Sequence, residues 1–244
     1  SAIPDAAAVA IGPLIRYAER LAPETATAGP RRLVLFPAHS FDAGTAEYEV
    51  AGLLDAVADH AASFDEVTAC LYWPDVLAGR DEAYRALGVP CVTAGHRNDP
   101  AFLFRLLEIL RGGAAVATNG VGTHVAYAAL LGRPVWVVPQ EVRYRPASER
   151  RTPADQQAAL DLLNGGGGEL TREVARRFAE PRDALAPEQR DFVAAVAGDE
   201  SVKAPEEIAE LFRRAEALFA DRFGVRRRVA LRLAAAARRR RSSA

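Results

Sequence analysis

Residues 114–138 read AAVATNGVGTHVAYAALLGRPVWVV, and the punctuation of this stretch decides the fold. An apolar run, Ala114–Thr118, ends at Asn119-Gly120-Val121-Gly122. A helical stretch runs from Thr123 to Leu131, Gly132 stops it, and Pro134 leads into a second apolar run, Val135–Val138. Glycine just past a helix and proline beyond it are stop signals, because glycine accepts the left-handed turn and proline cannot continue the helix. Two short, continuously apolar runs joined by one helix read as parallel strands covered on both faces.

The same grammar repeats upstream. Leu33–Phe36, Val67–Tyr72 and Cys91–Thr93 are the other candidate strands. Helices are expected over Thr45–Ala61, Arg80–Leu87 and Ala101–Leu110. In the first of these Val50, Leu53, Leu54, Val57 and Ala61 recur at helical spacing. Gly88 and Pro90 repeat the stop-and-restart seen at Gly132 and Pro134. Strand and helix alternating at this interval predict an α/β fold with a doubly wound, Rossmann-like parallel sheet. Right-handed crossovers would place all five carboxyl ends on one edge, where ligands of such sheets bind.

Outside residues 31–140 the pattern changes. Residues 1–30 read as a linker or the remnant of a preceding domain, with Val9–Tyr17 a strand or linker and Thr25–Pro30 a hinge. Arg143–Pro153, charged and proline-punctuated, reads as loop. Residues 141–223 read as a helical extension, with helices at Thr152–Leu163, Thr171–Glu180, Pro187–Val196 and Pro205–Phe223 and a flexible connector at 164–168. Residues 224–244 form a basic tail.

Half of the residues are apolar, enough for a sizeable core. Cys70 and Cys91 sit in apolar runs without ligand spacing and read as core residues of a reducing compartment. No apolar run is long enough to span a bilayer and no signal peptide is visible, so a cytoplasmic location is expected. The chain has no methionine, from which we expect its natural start to lie upstream. The net charge of −1 hides nine arginines without an acid from Arg222 to Ala244. Arg226–Arg241 suits an amphipathic helix against an anionic membrane surface at the inner face. No aromatics are interleaved there, which argues against nucleic acid as a partner.

Three of the four histidines fall where a strand ends. His124, with Gly120, Gly122 and Thr123, opens a helix whose unpaired N–H groups and dipole suit a phosphate. His39, in PAHS, is a candidate acid or base, with Ser40 beside it toward a diphosphate. His96 and Arg97, after Gly95, suit a base or phosphate, while Asp99 reads as a helix cap. Tyr72 and Trp73 suit a sugar or base pocket or the core. Asp42 and Glu47 read as capping or solvated acids. No carboxylate cluster suggests a metal, and the dinucleotide fingerprint is absent.

Together LVLFPAHS (33–40), TACLYWPDVLAG (68–79), VTAGHRNDPAFLFRL (92–106), TNGVGTHVAYAALLGRPVWV (118–137) and the helices from Leu185 to Phe212 resemble the carboxyl-terminal, donor-binding half of GT-B glycosyltransferases. The likeness is to a group of bacterial surface-polysaccharide biosynthesis, related to UDP-N-acetylglucosamine 2-epimerases. Val9–Tyr17 resembles the join between the two halves of such enzymes. The resemblance implies a nucleotide-diphosphate sugar as substrate, no metal or other cofactor, and a glycan or lipid-linked glycan as acceptor. It assigns Gly122, Thr123 and His124 to the donor diphosphate, and Gly95, His96 and Arg97 to the base. His39 and His124 are the catalytic candidates. Tyr127 stands where many such enzymes carry a ribose-binding glutamate. Ser40-Phe41-Asp42-Ala43 replaces the Arg-Arg-Glu-Asn that follows the epimerase histidine, which weighs against an epimerase. The resemblance covers only the donor half, whereas the acceptor side of such enzymes comes from the other half. The alternatives are a sugar-nucleotide 2-epimerase and a non-catalytic sugar-nucleotide-binding module at the membrane.

Overall fold

The computed structural model describes residues 8–22, 29–41, 43–147 and 153–217. The expectations for the Thr25–Pro30 hinge, Asp42 and the Arg226–Arg241 tail lie wholly or mostly outside them. Residues Pro13–Glu200 form one compact unit. In the other unit, 1–12 with 201–244, residues 205–217 are helical, and the Ala204 amide is capped by Glu207.

The larger unit is α/β. Its strands are β1 (Arg32–Leu35), β2 (Gly44–Glu47), β3 (Glu66–Cys70), β4 (Cys91–Val92), β5 (Ala115–Thr118), β6 (Val135–Val137) and β7 (Arg143–Pro146). Five of them form a parallel sheet in the order β4-β3-β1-β5-β6. The chain runs outward from β1 in one direction, then returns to β5 on its other side. β1 and β5 therefore flank the switch point, where the loops leaving two neighbouring strands diverge and open a crevice.

Both faces of the sheet are covered, and the strand residues sort by parity, as a two-residue repeat demands. Leu33, Leu35, Ala115 and Ala117 face Leu53 and Val57 of α2 (Val50–Ala61) and the buried Tyr84 of α4 (Asp81–Ala86). Val34, Phe36 and Val116 face the opposite core. That core contains Leu106, Leu107 and Leu110 of α5 (Phe102–Gly112) and Val125, Ala128 and Ala129 of α6 (Thr123–Leu130). It is extended by α1 (Leu14–Leu21), α8 (Glu169–Arg177) and α9 (Pro187–Ala197) through Ile15, Val174 and Val193. Arg16 of α1 pairs with Asp199 at 2.8 Å, tying residues 183 positions apart.

Several expectations are corrected. Val9–Tyr17 holds no strand: Val9–Pro13 is irregular and α1 occupies Leu14–Leu21, its Ile15 and Ala18 buried against the sheet's helical cover. The helix expected from Thr45 begins at Val50. Gly44–Glu47 is instead β2, and part of the presumed loop at Arg143–Pro153 is its antiparallel partner β7. Neither strand has an apolar repeat. Each exists because the other supplies its hydrogen bonds, and Asn164 at the end of α7 (Ala154–Asn164) grips both the N–H and the C=O of Tyr144. A five-residue helix, α3 (Trp73–Leu77), follows β3, with Pro74 in its first turn. The expected connector at 164–168 is a bonded turn: the Gly167 amide donates to Leu162, its carbonyl accepts from Arg172, and its φ of +75° suits glycine.

Candidate functional site

At the carboxyl edge of β1, β3, β4 and β5 lies a cavity of about 260 Å³. Its walls are mainly apolar, with Phe36, Phe41, Cys70, Tyr72, Phe102 and Leu106 among them. Burial pushes the Cys70 thiol up to about 12, so it is an inert wall rather than a nucleophile. The polar lining comes from His39, His124, Thr123, Thr93 and Arg97. Among the described residues no Asp or Glu lines this cavity, and no cluster of His, Cys, Asp and Glu could hold a metal ion.

The loops at the switch point are latched to each other. Asn119, just past β5, is buried; its Oδ1 accepts the Ala38 amide at 2.6 Å. Its Nδ2 donates to Gln140, whose own amide reaches the Glu49 carbonyl. Gly120 lies so close to Ala38 that an added Cβ would come within 3.1 Å of the alanine methyl. Glycine is needed here for close approach of two backbones, not for an unusual φ.

Gly122, in extended backbone, precedes the first residue of α6. The opening N–H groups of the helix, from Thr123 and His124, have no intrahelical acceptor and face a helix end of positive character. His124 is itself part of the wall. Its ring stacks on Phe36 at 5.2 Å, nearly parallel, and its Nε2 lies 3.0 Å from Thr118 Oγ1. Burial, followed by the neighbouring His39, pushes the His124 pKa down to about 3 against a smaller opposing effect of the Gly120 backbone. His124 is therefore neutral at ordinary pH, and the positive charge expected of it as a phosphate-stabilising group is absent.

His39 also lines the cavity and is exposed, its ring tilted over Tyr72 at 5.0 Å. Its Nδ1 donates to the Ser40 carbonyl at 2.9 Å, which leaves Nε2 for a ligand. Ser40 itself does not line the cavity. Its amide donates to buried Asp75 Oδ2 at 3.0 Å and its hydroxyl accepts the Ala46 amide. Asp75, held also by Arg80, anchors the His39 loop, and a phosphate at Ser40 would sit against that carboxylate.

The loop after β4 splits the expected base-binding set. Gly95, with φ +82°, and Arg97 line the cavity. A Cβ on Gly95 would strike the Arg105 guanidinium at 2.8 Å, and Arg105 holds this loop by donating to the Ala94 carbonyl. His96 is turned outward: its Nδ1 accepts the Asn98 amide and its ring lies against Trp73 at 4.8 Å. Asp99 accepts the Ala101 amide and pairs with Arg105, which together hold its carboxyl below the ordinary range. Tyr127 lies one turn into α6 against the core rather than on the cavity, and burial raises its phenol.

Sequence reading brought His39, Thr123, His124, Gly95 and Arg97 to one cavity. It gave no role to the residues that build the place: Thr118, Asn119 and Asp75. Polar residues directly after apolar runs were the available signal, since a buried side chain there must find backbone partners. No protein-family profile matches the chain, and no curated protein matches it significantly.

Proposed function

We propose that the chain is the donor-binding half of a GT-B-type glycosyltransferase that takes a nucleotide-diphosphate sugar in polysaccharide or glycolipid assembly. The observation that carries this reading is the cavity at the β1/β5 switch point, lined both by the amino end of α6 and by His39. The apolar part of the cavity suits a flat, uncharged ring, and Arg97 with the α6 N–H groups suits the anion attached to it.

In transfer, the bond between the anomeric carbon and the phosphate oxygen breaks, and negative charge gathers on the departing diphosphate. N–H groups fixed before reaction stabilise that charge without reorganising. Thr123 and His124 supply those groups through their backbones, while the acceptor oxygen bonds to the anomeric carbon and its hydroxyl proton goes to His39 Nε2. The acceptor hydroxyl would arrive from the open side of the cavity.

Isothermal titration of the whole chain with uridine, guanosine and adenosine diphosphates and their sugars tests the assignment. Binding of one family with micromolar affinity is expected, weakened at least fivefold in Arg97→Ala. Absence of binding across the panel refutes the reading.

A further inference from the structure

The proton inventory around Thr118 fixes what His124 offers to a ligand. The Thr118 hydroxyl has one hydrogen. Its oxygen lies 2.7 Å from the Gly120 carbonyl oxygen, and two oxygens that close need a proton between them. Only the threonine can supply it, so Thr118 donates to Gly120. The same oxygen accepts the Gly120 amide at 3.1 Å. The contact from His124 Nε2 to Thr118 Oγ1, at 3.0 Å, must then carry its hydrogen on the histidine.

We infer that His124 stands as the Nε2–H tautomer and presents Nδ1 as a hydrogen-bond acceptor beside the opening N–H groups of α6. The ligand of the cleft must therefore pair an anion with a neighbouring N–H or O–H donor. The inference rests on the cavity being the ligand site proposed above and names what that ligand carries.

Three features hold the imidazole in this state. Phe36 stacks on its face and fixes its plane. Thr118 fixes its rotation about the ring normal. Gly122 leaves room, since a Cβ there would come within 3.0 Å of Nδ1. A lone pair on Nδ1 repels a phosphate oxygen, which is also an acceptor, and attracts a hydroxyl or amide hydrogen. The backbone of the helix start and the side chain of its second residue thus read opposite halves of one ligand. The backbone reads the charge, and the imidazole reads the polar hydrogen next to it. A sugar hydroxyl or acetamido N–H close to the anomeric phosphate has this arrangement. Inorganic pyrophosphate and a nucleoside diphosphate lacking the sugar do not place a donor there.

The tautomer is read in the ligand-free protein by two-bond nitrogen–proton correlation on histidine-labelled chain near neutral pH. A bare Nδ1 with a protonated Nε2 on His124 supports the inference. The opposite tautomer, or an imidazolium, overturns it. Binding then tests the consequence with UDP-N-acetylglucosamine and UDP as probes. His124→Phe keeps the ring stack and removes the acceptor; it should weaken the sugar nucleotide about tenfold and UDP less than twofold. His124→Asn, whose Oδ1 replaces Nδ1, should restore sugar-nucleotide affinity to within threefold of the parent. Equal losses for both probes in His124→Phe would assign the ring to the phosphates and overturn the inference. If no nucleoside diphosphate or sugar nucleotide of the panel binds the parent protein, the proposed function fails, and the ligand-free spectrum alone decides the tautomer; if another base family binds, its sugar nucleotide and diphosphate replace the uridine probes.

Discussion

The neutral imidazole at position 124 makes stability fall in acid by an amount that can be worked out. An ordinary histidine has a pKa of 6.5, whereas burial holds His124 at about 3. Between those values the unfolded chain binds a proton at this position and the folded chain does not. Acid therefore favours unfolding across that window. The contribution of His124 is fully present above pH 6.5, falls as pH drops below it, and is exhausted near pH 3. Linkage sets the slope at about 1.4 kcal/mol per pH unit for one proton. From about pH 7.5 to about pH 4.5 the loss is then about 3 kcal/mol, a large part of the ~5–15 kcal/mol that holds a typical domain together.

Other groups titrate in the same range, so the measurement is a difference. Urea unfolding, followed through the fluorescence of Trp73 and Trp136, is compared for the parent chain and His124→Asn from about pH 7.5 to about pH 4.5. Asparagine has no titration, and its effect on packing does not depend on pH. The stability gap between the two proteins should shift in favour of the variant by about 3 kcal/mol at the acid end. Adding His39→Gln to the parent should shrink the shift, because His39 is the second cause of the depressed pKa. A gap that stays flat over the whole range would refute the reasoning, for it would mean that the ring protonates as easily folded as unfolded.

Two further substitutions separate building from binding. Asn119→Ala removes the partner of the buried Ala38 amide and the hydrogen bond to Gln140; urea unfolding should show a loss of about 1–3 kcal/mol, and UDP-N-acetylglucosamine titration should show weaker binding. Gly122→Ala places a methyl 3.0 Å from Nδ1 of the held His124 ring, so the ring must shift and the same titration should weaken at least fivefold.

What the sequence disclosed divides along a physical line. The β5–α6–β6 segment was legible almost to the residue because each boundary is set locally, by a glycine that turns the chain or a proline that restarts it. The β2–β7 ribbon was not, since Gly44–Glu47 is a strand only through a partner about a hundred residues away. At the site, the positions of histidines relative to strand ends were legible and their orientations were not. His96 sits at a strand end like His39 and His124, yet a hydrogen bond to the amide two residues on turns it to the outside. Ser40 looked available until a carboxylate from α3, too short to show a helical repeat, claimed its amide.

The two histidines that do share the cavity are made different by their surroundings, and the difference assigns their work. His39 is exposed, and its Nδ1 is committed to the Ser40 carbonyl, so any proton exchange with a ligand must pass through Nε2. His124 has the opposite commitment: Nε2 is spent inside the wall on Thr118, and Nδ1 remains. Burial removes His124 from acid–base chemistry at ordinary pH and leaves it a fixed acceptor. A catalytic role for His124 as an acid would require protonating a ring already enclosed by Phe36 and Thr118, against a desolvation cost worth several pH units. In the proposed transfer, the chemistry at the departing diphosphate would fall to His39, Arg97 and the backbone of α6, and His124 would choose which ligand those groups meet.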